Sequence, residues 1–149
     1  MTCAEVMTKQ PACCELGDTA AGVAKIMQTE DVGSIPVCVN RQNRKIVGIV
    51  TDRDIAIYVV AKGRDAKTTQ VANFMTRDPF VCRPEDDLQM ALDVMENHQV
   101  RRIPVVNRIG QVVGIIAQAD VATRTNQIEK KAEMVEQISI SKSEPVQAA

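Results

Sequence analysis

Ile35-Pro36-Val37, followed by Val47-Gly48-Ile49 and Asp54, decides the fold, because the chain writes this stretch twice. The triplet returns 68 positions on as Ile103-Pro104-Val105, and the second group returns 66 positions on as Val113-Gly114-Ile115 and Asp120. Working outward, Met7, Thr8, Pro11, Cys14, Asp18, Met27 and Val32 recur as Met75, Thr76, Pro79, Cys82, Asp86, Met95 and Val100. An internal repeat constrains the architecture before any other pattern does. A unit of about 60 residues buries too little surface to be comfortable alone, so the copies are expected to share a core. Differences between the copies are then where function is to be sought.

Of the 149 residues 45% are hydrophobic, yet there is no Trp, one Tyr and two Phe, so the core is aliphatic. The formal net charge is −1 and no basic stripe is present. Single-strand nucleic-acid binding needs aromatic platforms on a positive groove, and both are missing. No segment reaches the about 18 apolar residues of a membrane span. Residues 1–10 lack the pattern of a secretory signal. A cytoplasmic location is expected, where the five cysteines stay as thiols.

Each copy reads strand, helix, strand, strand, helix. In the first, 11–14 is a strand and Asp18 or Thr19 caps a helix whose Ala20, Val23, Ala24 and Met27 form one stripe. In the second, Leu88, Ala91, Leu92 and Met95 repeat that spacing behind Asp86 and Asp87. Strands are expected over 35–39 and 46–50, and over 103–106 and 112–116, β-branched runs with both faces covered. Helices follow over 52–62, closed by Gly63, and from 118 onward. The chain thus divides into repeat 1 (1–63), a polar linker (64–70), repeat 2 (71–125), a C-terminal helix extension (126–138) and a disordered tail (139–149). Ile128, Ala132 and Val135 keep a helical stripe on the extension, a face suited to a partner chain.

At Gly48-Ile49-Val50-Thr51-Asp52-Arg53-Asp54 the pattern resembles a tandem pair of cystathionine-beta-synthase (CBS) domains, a Bateman module of the small stand-alone bacterial type. Met-Thr, Ile-Pro-Val and Gly-x-x-Thr-x-x-Asp occur in that order, over residues 4–125. The resemblance implies an α+β fold, with two β-α-β-β-α repeats related by a pseudo-two-fold axis through their sheets. It also implies two clefts that in many members bind AMP, ADP, ATP, NAD or S-adenosylmethionine, and a homodimer. No cofactor is obligatory; an adenine nucleotide would be a regulatory ligand.

The residues suit that chemistry. Gly48 allows close backbone approach, and Ile49 lies beside it. The Thr51 hydroxyl at a helix start can meet phosphate, and the Asp54 carboxylate can accept ribose hydroxyls. By resemblance to the gamma subunits of regulated kinases, Pro79, Phe80 and Val81 wall the base and Arg101 and Arg102 hold phosphate. In the pseudo-symmetric cleft Asp120 and Gly114 persist, but Ala117 replaces the Thr and Gly33 and Ser34 stand where the arginines would be. One competent site per chain and one weak site are therefore expected.

Other chemistries find little support. Cys3, Cys13, Cys14, Cys38 and Cys82 show no Cys-x-x-Cys spacing and read as small core residues. Asp52-Arg53-Asp54 is not completed as a metal site. His98, the single histidine, has no Ser or Cys partner, and neither phosphate-binding glycine motif is present. The sequence points to a non-enzymatic, nucleotide-sensing signalling module; the alternative is a ligand-free dimeric scaffold or stress-response interaction protein with an unknown protein partner.

Overall fold

The computed structural model describes residues 1–143, with side-chain surroundings through 138. The first strand–helix unit is shorter than the sequence predicts. The strand expected over 11–14 is reduced to β2, Cys14–Glu15, since Pro11 has no amide proton to donate. It is preceded by two elements that the sequence pattern did not disclose, α1 (Cys3–Val6) and β1 (Thr8–Lys9). Helix α2 (Ala20–Glu30) is capped by Thr19, whose hydroxyl accepts the Gly22 amide proton at 3.1 Å. Asp18 instead accepts the Glu15 amide proton and pairs with Arg41.

Two long strands follow, β3 (Ser34–Cys38) and β4 (Ile46–Thr51), paired antiparallel. All five β3 residues are buried, as expected of a strand covered on both faces, whereas β4 alternates between buried and half-buried. The helix predicted over 52–62 begins as α3 (Asp52–Ile55), widens into a π-helical turn at Ala56–Val60, and gives way to Gly63 at φ +68°. The second copy contributes β5 (Thr76–Arg77), α4 (Leu88–Asn97), β6 (Arg102–Val106), β7 (Val112–Ala117) and α5 (Gln118–Ser143). Asp87 rather than Asp86 caps α4. Helix α5 continues five residues past the boundary expected at 138, so 139–143 are helical; the rest of the expected tail, 144–149, lies outside the described residues.

The paired strands of the two copies fold alike down to their irregularities. β3 and β4 pair Ser34 with Thr51 and slip register between Val37 and Cys38; β6 and β7 pair Arg102 with Ala117 and slip between Val105 and Val106. They also exchange arms. β5, from the start of the second copy, pairs with β4 of the first, and β1, from the start of the first, pairs with β7 of the second. The cores follow this exchange: Val71 and Phe74 pack with Ile35, Val37 and Val50, while Cys3 and Val6 pack with Leu88, Ile103 and Ile116. Each repeat as written in sequence therefore lends its first residues to the other repeat's core. The glycines permit the crossing: a Cβ on Gly48 would stand 2.7 Å from Met75 Sδ and 2.8 Å from the Thr76 carbonyl, and one on Gly114 would meet Met7.

The two sheets meet along a seam. Lys45 and Gln111, repeat equivalents, form a bridge, flanked by Ile46 N–H to Gly110 O at 3.0 Å and Val112 N–H to Arg44 O at 2.8 Å. The Arg44 guanidinium donates to the carbonyls of Val112 and Pro11. Beneath it, Cys13, Cys38, Val106 and Val112 make a small third core.

Candidate functional site

A cleft of about 730 Å³ opens between the repeats. Its first wall is the end of β4 and the start of α3. The chain turns from strand to helix at Thr51, whose hydroxyl accepts the Asp54 amide proton at 3.1 Å. The Asp54 carboxylate accepts the Thr51 amide proton through Oδ2 at 2.9 Å. This reciprocal box satisfies two helix-end donors. It also fixes Asp54 with its other oxygen uncommitted. Ile49, Asp52 and Arg53 complete this wall.

The opposite wall comes from the second copy. The stretch after β5 supplies Pro79 and Phe80, and the stretch before β6 supplies Arg101 and Arg102. Sequence reasoning missed Arg53, Arg77 and Gln99, which also line the cleft. Arg77 carried a signal, since its repeat partner is Lys9 and a basic residue follows Met-Thr in both copies. Asp78 and Gln99 hold φ of +47° and +53°, conformations that non-glycine residues adopt at a cost. Gln10 and Asp31, their equivalents, show +47° and +54°, so the backbone frame of the second cleft is the same.

The cleft is rich in unneutralised cations. Among the described residues the ion pairs are those of Arg41 with Glu15 and Asp18; Arg53, Arg77, Arg101 and Arg102 have no carboxylate within 4.0 Å. Arg102 is seated across the pseudo-axis, and a Cβ on Gly33 would lie 2.7 Å from its Nη2 and 3.0 Å from Asp52 Oδ2. Gly33, which from sequence reads as a missing cation, is the space that this arginine fills.

Not every expected residue reaches the site. Gly48 is mid-strand, and the close approach that it permits is that of β5. Val81 is exposed and does not line the cleft. Phe80 lines it, with its ring stacked on His98 at 3.8 Å between centroids, a contact that a separation of 18 positions hid from sequence reasoning. In the other cleft Ala117 has no hydroxyl with which to build the box that Thr51 makes, although Asp120 stands in the first turn of α5.

The cysteines are all free and buried. Burial pushes the Cys14 thiol up to about 12 and raises Cys82 and Cys3 as well. A hydrogen bond from Cys38, with Arg44 and Arg41 nearby, lowers Cys13. Among the described residues no three His, Cys, Asp or Glu side chains come together as a metal cage, and no helix is long and apolar enough to cross a membrane.

Comparison with known proteins gives one result throughout. The family model for the CBS domain matches twice, at residues 3–61 and 71–125. Hypoxic response protein 1 of Mycobacterium tuberculosis is 32% identical over 121 residues, 81% of this chain and 82% of that protein. A crystal structure of Hypoxic Response Protein I with two coordinated zinc ions, 32% identical, superposes with a TM-score of 0.74 over 83% of this chain and 98% of that one. The CBS domain-containing protein YhcV of Bacillus subtilis is 36% identical over 118 residues, 79% of this chain and 81% of the relative. A CBS domain protein of Pyrobaculum aerophilum, solved with AMP, is 25% identical with a TM-score of 0.73 over 80% of this chain and 89% of that one. With its duplicated strands, exchanged arms and inter-repeat cleft, the chain belongs to the CBS-domain family, as a tandem pair.

Proposed function

We propose that the chain is a non-enzymatic regulatory module that takes an adenosine-containing phosphate ligand into the cleft walled by Thr51, Asp54, Arg101 and Arg102. One observation carries the reading. The strand-to-helix turn of one repeat and the arginine pair of the other face a common space, and among the described residues those guanidinium groups have no carboxylate within 4.0 Å. The free oxygen of Asp54 accepts ribose hydroxyls, the two arginines and the Thr51 turn take phosphate, and Ile49 and Pro79 flank the base. Phe80 adds an aromatic surface backed by His98. The AMP held by the Pyrobaculum relative supports this ligand class. Because both walls are needed, binding favours one relative position of the repeats, and only that unequal affinity can signal. The second cleft keeps the frame but not the chemistry, so one ligand per chain is expected. Five unpaired thiols fit a cytoplasmic setting.

A thermal-shift and calorimetric panel of AMP, ADP, ATP, NAD and S-adenosylmethionine tests the reading. Ligand at 100 times its dissociation constant stabilises by about 2.7 kcal/mol. One member is expected to do so with a stoichiometry of one, and Asp54→Ala abolishes the shift. A flat panel overturns this reading in favour of a ligand-free scaffold. That second reading has one specific support, the exposed Met134, Val135 and Ile138 on α5.

A further inference from the structure

We infer that the C-terminal half of α5 is a self-recognition surface that pairs in parallel with the same helix of a second copy. Arg124, Val121 and Ile128 hold the first half of the helix down: Arg124 donates to the Val6 carbonyl at 2.8 Å, and the other two pack on the second core. Past Ile128 no other described residue buries the helix. Residues 129–138 are all exposed, yet Ile128, Ala132 and Val135 continue one stripe at helical spacing. With Glu5 of α1, Lys131 and Glu136, that stripe lines a groove of about 600 Å³. A solvated helix segment of this length is marginal by itself, and in proteins such helices are held by packing of their apolar face.

Charge identifies the occupant. With Ile128 and Val135 as inward d positions and Ala132 as the a position between them, Lys131 falls at g and Glu136 at the following e. Side chains at g and e set partner choice and orientation in helix pairs. In a parallel pair Lys131 lies opposite Glu136 of the partner subunit, and the contact occurs twice by symmetry. One heptad earlier Arg124 is held by the chain's own Val6 carbonyl, so the charge match rests on Lys131 and Glu136. An antiparallel pair would set g against g and e against e, which places Glu129 against Glu136 of the partner subunit. A second copy is thus the occupant whose charges the groove already matches, and the match selects the parallel arrangement. This deepens the homodimer expected from the resemblance and is independent of the ligand.

Sedimentation equilibrium of the full chain tests the inference, with K131E, E136K and the double exchange K131E/E136K. The wild type is expected to dimerise. Each single reversal should weaken the dimer about tenfold or more. The double exchange should return to within about threefold of wild type, and about 1 M salt should shrink these differences. Far-ultraviolet circular dichroism checks that helix content is kept. Ligand stabilisation should persist in all three variants, so failure here and failure of the nucleotide reading are separate. A wild type that is monomeric throughout overturns the proposal, as does a dimer indifferent to the single reversals or one that the double exchange does not rescue.

Discussion

The two clefts share a backbone and differ in what they carry. Both are bordered by the same pair of left-handed residues, the same strand slip and the same crossing arm. Only one has the Thr51–Asp54 box and the Arg101–Arg102 pair; the other has Ala117, Gly33 and Ser34 at those places. Duplication supplies the frame twice, because the shared core needs both halves. The cleft side chains are ones that the core does not use, so they are free to differ between the copies. Arg102 shows how far the difference reaches: it extends over Gly33, so the position without a side chain in one cleft houses a cation of the other.

The largest expected effect lies under the clefts, at the crossing glycines. A Cβ on Gly48 meets the Thr76 backbone carbonyl at 2.8 Å, while the three atoms nearest one on Gly114 belong to the Met7 side chain, with Cγ at 2.8 Å and the backbone-attached Cβ at 3.0 Å. Overpacking costs about 1–3 kcal/mol, and most where nothing can yield. Chemical denaturation should therefore find Gly48→Ala about 3 kcal/mol less stable and Gly114→Ala, where Met7 can yield in part, about 2 kcal/mol. Equal losses would mean that the two arms are held alike. Next comes the ligand contrast. Hydrogen bonds to charged groups contribute about 1.5–3 kcal/mol, so Arg102→Ala should weaken nucleotide binding about tenfold or more. In calorimetry Asp120→Ala should leave affinity unchanged. Gly33→Ala, which displaces Arg102 without removing it, should fall between the two.

Much of this was legible in the sequence. The repeat, the four long strands, both capped helices and the cleft residues Thr51, Asp54, Arg101 and Arg102 follow from spacing and from the family motif. The exchanged arms were not legible. Met7-Thr8 and Met75-Thr76 are too short to show period-two alternation, and which sheet a two-residue strand joins is decided by tertiary packing. The reach of Arg102 over Gly33 and the stack of Phe80 on His98 were hidden for a related reason, since no local pattern encodes contacts across a seam. The π-helical turn after α3 gave no signal either; Ala56, Ile57, Tyr58, Val59 and Val60 read as ordinary helix.

Grafting sharpens the comparison at smaller scale. Loss of a capping hydroxyl costs about 1 kcal/mol, so Thr51→Ala should destabilise by about that amount. Ala117→Thr puts a hydroxyl three residues before Asp120 and should recover a similar amount if the second frame can close the same box. Denaturation midpoints of the two variants decide whether the clefts differ in side chains alone.

The smallest effect separates the repeat-equivalent cysteines from the bulk of the core. The Cys14 thiol is raised from 9.0 to about 12, chiefly by burial. A raised thiol favours the folded state fully below pH 9, where neither state ionises. As pH rises from 9 towards 12 the unfolded chain loses that proton first, and stability drains away across this window. Cys14→Ala pays a constant cavity cost but removes one such group, so its stability should fall less steeply between pH 9 and 10.5 than that of wild type. Below pH 8.5 the two should run parallel. Identical slopes above pH 9 would mean that Cys14 ionises as freely folded as unfolded, and that the strand it sits on opens to water in a way that its buried neighbours Val37 and Val50 do not allow.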